Sequence, residues 1–119
     1  MPFRVVETDA LFVEKPARPL YSGVKTGVSS GTTVTVVTIP ANGVTDVVHI
    51  SCTGEESARW ELYLDSVLID MKRTTNRNVT FEFGTALEIL EGEVFDVKVF
   101  YNGPESSADF NATIYGYSV

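Results

Sequence analysis

His49, Ser51 and Cys52 are the residues whose types could build a nucleophilic centre, because an imidazole within reach of a hydroxyl or thiol can take its proton. Their spacing speaks against it. In the run Val48-His49-Ile50-Ser51-Cys52, the step from His49 to Cys52 sends the two side chains to opposite faces of an extended strand. His49, the single histidine, therefore reads as a solvated or hydrogen-bonded strand residue. Cys52 shares an alternation face with Val48 and Ile50 and reads as a small buried hydrophobe; with one cysteine, no internal disulfide can form. Glu55-Glu56 and the pair Glu91 and Glu93 lie beside Gly54 and Gly92 as loop charges, without the further oxygen ligands that a bound cation needs. Neither a phosphate-cradling glycine loop nor a zinc-ligand spacing occurs. Asn78-Val79-Thr80 and Asn111-Ala112-Thr113 match the glycosylation pattern but fall inside strand-like runs with no secretion signal ahead of them. These observations predict a protein that is not an enzyme and holds no cofactor or metal.

The aromatic residues suggest a different chemistry, the stacking of sugar rings on Trp60, Tyr63, Tyr101, Tyr115 and Tyr117. Trp60 and Tyr101, however, alternate in phase with aliphatic neighbours, which predicts core packing. Tyr63, Tyr115 and Tyr117 lie on the opposite phase, and Tyr115 with Tyr117 on the last strand reads as a surface for a partner.

The elements that position these residues repeat with a period of two. Thr32 to Ile39 is β-branched throughout and stops at Pro40-Ala41-Asn42-Gly43; Val44 to Thr53 follows as a second strand. Arg59 to Asp65 sets Trp60, Leu62 and Leu64 against Arg59, Glu61, Tyr63 and Asp65, the pattern of a half-buried antiparallel strand. The next run places Val67, Ile69 and Met71 on one face and predicts a hairpin about Asp65-Ser66. A two-residue turn would oppose Glu61 to Asp70 and a four-residue loop would oppose it to Lys72, so charge pairing favours the longer loop. Val79 to Phe83, Ala86 to Leu90, Val94 to Tyr101 and Phe110 to Tyr117 complete about eight strands, with no amphipathic helix. This pattern predicts an all-β, single jelly-roll β-sandwich of about eight antiparallel strands, at residues 31–119.

Residues 1–30 differ from that body. They hold three of the five prolines and four basic against three acidic groups, while the rest carries five basic and thirteen acidic groups. An extended, apolar-studded segment needs a surface to cover it, so residues 1–30 are expected to form an N-terminal docking arm with Phe3, Val5, Leu11, Phe12, Leu20 and Tyr21 as contacts. At 119 residues the chain is one domain, large enough for a core without staples. A formal charge of −7 opposes nucleic-acid binding, which needs clustered cations against phosphate. No run of about eighteen apolar residues and no signal-peptide pattern occurs, so the expectation is a soluble protein made in a reducing cytoplasm, without membrane partners.

Ala58 to Ile69 (ARWELYLDSVLI) followed by Lys72 to Phe83 (KRTTNRNVTFEF), and the closing strands Gly92 to Val99 (GEVFDVKV) and Asp109 to Gly116 (DFNATIYG), resemble small jelly-roll virion proteins of tailed bacteriophages. The resemblance covers most of residues 32–117 and lies in strand rhythm. It implies a capsid decoration, or cement, protein: a homotrimer bound to the major capsid protein on the capsid surface of the virion, stabilising the shell through an N-terminal arm and made in the host cytoplasm. The same fold serves in tail-fibre heads, so a receptor- or carbohydrate-binding head is the alternative it implies.

Overall fold

A computed structural model describes residues 17–74 and 76–118. Among these the chain forms eight strands: β1 (Arg18–Ser29), β2 (Thr32–Ile39), β3 (Thr45–Thr53), β4 (Ala58–Leu64), β5 (Val67–Arg73), β6 (Asn78–Ile89), β7 (Phe95–Tyr101) and β8 (Ser107–Ser118). They build two four-stranded antiparallel sheets, in the orders β1-β8-β3-β6 and β2-β7-β4-β5. The pairs nest, first strand with last, second with seventh, third with sixth and fourth with fifth, as though one long hairpin had been rolled over.

Alternation explains why these sheets face each other. Trp60 and Leu62 from β4 and Phe95, Val97, Val99 and Tyr101 from β7 are buried, as are Phe81 from β6 and Phe110, Ala112 and Ile114 from β8. All belong to one core. The ring of Phe110 meets Trp60 edge-on at 5.8 Å and Tyr101 at 5.6 Å, joining the sheets. Cys52 is fully buried in the same core.

The N-terminal docking arm of residues 1–30 requires correction. Residues 18–29 are strand β1, paired to β8 from Arg18↔Gly116 to Ser29↔Ser107. Leu20 is half-buried there, and Tyr21 packs against the core. The prolines misdirect because β1 is an edge strand, where a residue without an N–H is tolerated. A break in register between Pro19 and Tyr21 absorbs the irregularity. The compositional change near Gly31 coincides with a corner, not a domain boundary: at Ser30-Gly31 the chain leaves one sheet for the other. The Gly31 amide donates to the Tyr101 carbonyl at 2.6 Å, and its φ of 90° suits glycine. Phe3, Val5, Leu11 and Phe12 lie outside the described residues.

The hairpin also departs from the charge-based expectation. Leu64 faces Val67 across a two-residue turn in which Asp65 and Ser66 have φ of 48° and 69°, as a type I′ turn demands. An irregularity at Ile69 then sets Glu61 opposite Met71 and Lys72 opposite Trp60. The cation facing Glu61 is Lys98, on the neighbouring strand β7. Similarly, a bulge at Val48 shifts the core phase of β3, so Val47 and Ile50 are buried and Val48 is not. Ala86 to Ile89 is the end of the long strand β6.

Gly116 lies against β3 so closely that an added Cβ would come within 1.9 Å of the Asp46 carbonyl oxygen, whereas Gly84 faces open space. Gly116→Ala is expected to destabilise the fold by about 1–3 kcal/mol, because backbone must shift to admit the methyl group. Gly84→Ala should stay within about 0.5 kcal/mol of the parent in the same urea titration.

Candidate functional site

The outer face of the β2-β7-β4-β5 sheet carries the most organised polar cluster. Glu61 projects from the middle of β4 away from Trp60 and Leu62, yet is only 5% exposed. Its neighbours lean over it. Arg59 Nε donates to Glu61 Oε2 at 2.6 Å and Tyr63 Oη donates to Oε1 at 3.0 Å. The Arg59 guanidinium lies 4.8 Å from the centre of the Phe100 ring, and the Lys98 ammonium 4.7 Å from that of Tyr63. Each carboxylate oxygen thus accepts one hydrogen bond from a neighbouring side chain, and the shielded Glu61 orders both of those neighbours. The hydrogen bond to Glu61 holds the Tyr63 phenol above its ordinary range, with desolvation and the nearby negative charge acting in the same direction.

The opposite outer face, on the β1-β8-β3-β6 sheet, places Tyr115 on His49, rings stacked at 4.4 Å with an 18° interplanar angle. Glu82 of β6 lies opposite His49 on its other side. Histidine thus serves as a flat strand partner to tyrosine, and Cys52, buried in the core, does not share its face. Tyr117 is half-buried beside Arg18, Leu20, Gly116 and Ser118, which line a shallow groove where β1 begins. Of the expected partner-binding residues, Leu20 and Tyr117 therefore meet, while Tyr21 turns to the core and Tyr115 to His49.

A sugar platform is not assembled among the described residues. Trp60 and Tyr101 are 0% and 1% exposed, and Tyr63 lies on the other sheet from Tyr115 and Tyr117. The loop carboxylates act in the loops themselves: Glu93 accepts from the Leu90 amide at 2.8 Å, and Glu55 faces Arg77 at 3.9 Å. No group of three or more His, Cys, Asp or Glu side chains is placed to hold a metal among the described residues.

The feature that sequence reasoning missed is strand β5. Its predicted apolar face of Val67, Ile69 and Met71 is not covered by the core; all seven residues are exposed. Alternation alone cannot distinguish a strand lying over the core from one that runs past its edge.

No protein-family model matches the chain, and no curated protein matches it. The crystal structure of FlhE is similar to it, with a TM-score of 0.41 and 11% identity over 82% of this chain and 96% of that one. A likeness of that size carries no argument about function.

Burial pushes the Cys52 thiol up from 9.0 to about 12. Below pH 9.0 both folded and unfolded thiols are protonated and the stabilisation is fully present; between 9.0 and about 12 only the unfolded thiol ionises, so stability falls as pH rises. The loss attributable to this group is expected to approach ~1.4 kcal/mol per pH unit. Cys52→Val should flatten that part of the alkaline stability profile, measured by denaturant unfolding at each pH.

Proposed function

We propose that the chain is a jelly-roll β-sandwich that decorates the outer surface of a tailed-bacteriophage capsid and stabilises the shell by binding the major capsid protein. The nested pairing of β1 with β8, β2 with β7, β3 with β6 and β4 with β5 carries this reading, since a jelly roll is an antiparallel hairpin rolled into two four-stranded sheets. The resemblance of Ala58 to Phe83 and of the two closing strands to small phage virion proteins supports it further. The protein acts by binding, not by catalysis. Its most buried acid, Glu61, is held by Arg59 and Tyr63, and its histidine is stacked on Tyr115. On this reading the protein is made in the host cytoplasm and resides on the virion.

On this reading docking falls to residues 1–16, with Phe3, Val5, Leu11 and Phe12 as apolar contacts, while the groove of Leu20 and Tyr117 lies where β1 begins. Ordering an extended arm costs about 1–2 kcal/mol per residue, so contacts on the shell must offset it. The tail-fibre alternative is weakened because the two rings best suited to sugar stacking, Trp60 and Tyr101, are core residues. A threefold assembly rests on the resemblance alone, and the edge that β5 presents among the described residues favours a different contact between copies.

Removing residues 1–16 should leave thermal unfolding within a few degrees of the full chain, while occupancy on capsids lacking the protein, read by co-sedimentation, should fall at least tenfold. Removing residues 1–28 should instead destabilise the body, because it strips β1 from β8. Undiminished capsid binding by the first truncation would rule out the arm. Binding to host cells or glycans, with none to capsids, would favour the tail-fibre head.

A further inference from the structure

Among the described residues, strand β5 is an edge of its sheet, bonded to β4 on one side only. Val67, Leu68, Ile69 and Met71 are 63%, 46%, 42% and 43% exposed, so apolar side chains are presented together with backbone groups that have no ladder partner among the described residues. From Asp70 to Arg73, beyond the irregularity at Ile69, this edge is regular and free of proline, and such an edge is a template for another strand. On that free side the Met71 amide donates to the Asp70 carboxylate at 2.8 Å. The two charges that flank Met71, Asp70 and Lys72, are opposite in sign.

We infer that β5 pairs with β5 of a second copy in an antiparallel ladder centred on Met71, giving a two-fold dimer. About that centre Met71 faces Met71, and Asp70 of each copy faces Lys72 of the other. Sliding the register by one residue in either sense about the two-fold would set Asp70 against Asp70 or Lys72 against Lys72, and like charges directly opposed are destabilising. Charge thus selects one register, and the contact is the same patch on both copies, as a two-fold interface requires. In the dimer the Met71 amide exchanges its bond to Asp70 for a ladder bond, and Asp70 is released to pair with the facing ammonium. Within its own chain the Lys72 ammonium donates to the Thr80 carbonyl at 2.9 Å and lies 5.5 Å from the centre of the Phe81 ring, so in the dimer it exchanges these contacts on β6 for the facing Asp70. The inference does not depend on the capsid reading, since it uses only the edge strand and its charges.

The full chain should sediment as a concentration-dependent dimer at micromolar concentrations. Asp70→Lys and Lys72→Asp should each weaken association at least tenfold, and the double exchange D70K/K72D should restore it, because the paired charges are only swapped. Thermal unfolding of each variant checks that the fold persists. Met71→Cys should form an intermolecular disulfide under mild oxidation, since residues opposed across a ladder lie about 5.5 Å apart at Cα, within disulfide reach. Arg73→Cys, which does not face itself in this register, should form it far more slowly, and Cys52 is buried and should stay reduced. A monomer at 100 μM, a trimer, or equal cross-linking at positions 71 and 73 would overturn the inference.

Discussion

The two sheets are held face to face by aromatic rings that cross between them, and much else in the chain is arranged around those rings. Phe110 of β8 sits between Trp60 of β4 and Tyr101 of β7. Fully burying rings of this size contributes about 1.5–3 kcal/mol each, which only a close-packed interior realises. Loops obey the same constraint. A Cβ at Gly54 would lie 2.1 Å from the Phe110 ring, and one at Gly103 would lie 2.5 Å from that of Tyr101. The Tyr101 hydroxyl reaches the end of the sandwich and accepts from the Glu105 amide at 3.2 Å, so a core ring also anchors the loop before β8. Trp60 contributes differently: its indole N–H is buried without a hydrogen-bond partner among the described residues, a cost of about 1–3 kcal/mol that the ring's packing must offset.

What the sequence made legible is what obeys strict alternation. Strand β7 alternates without a break: Phe95, Val97, Val99 and Tyr101 are all buried, and Asp96, Lys98 and Phe100 between them are not. The same holds for Trp60 and Leu62 and for Phe110, Ala112 and Ile114. Legibility fails where one residue is inserted. At Val48 the bulge reverses the phase of β3, so the face shared by Val48, Ile50 and Cys52 on paper becomes Val47, Ile50 and Cys52 in the core. At Ile69 a similar irregularity cancels both charge registers considered for the hairpin. Period-two reasoning has no signal for such insertions, because the extra residue looks like any other.

Strand β1 failed for another reason. Hydropathy looks for large side chains on the inner face, but β1 presents Gly23 there, whose missing Cβ leaves room for the Val36 carbonyl of β2. An added Cβ would fall 1.9 Å from that oxygen. Close approach of backbone to backbone therefore takes the place of apolar burial, and a strand built in that way reads as a linker. The candidate surfaces were legible to a comparable degree: Tyr117 and Leu20 do meet, whereas Tyr115 is stacked on His49, a pairing across strands that no local spacing reveals.

The sheet edges then decide how this sandwich meets other surfaces, because its two faces are occupied. On one outer face Glu61 is sealed by Arg59 and Tyr63; on the other His49 and Tyr115 cover each other. Each of the four described edge strands carries an interruption: β1 at Pro19 and two breaks in register, β2 between Thr35 and Val37, β6 in the irregular stretch between Glu82 and Leu87, and β5 at Ile69. Such interruptions discourage addition of a further strand. From Asp70 to Arg73, by contrast, β5 runs in regular register with β4 and carries charges of both signs. Among the described residues, that stretch is the part of the sheet edges that is exposed, regular and self-complementary in charge order, and so the one best suited to meet a second strand.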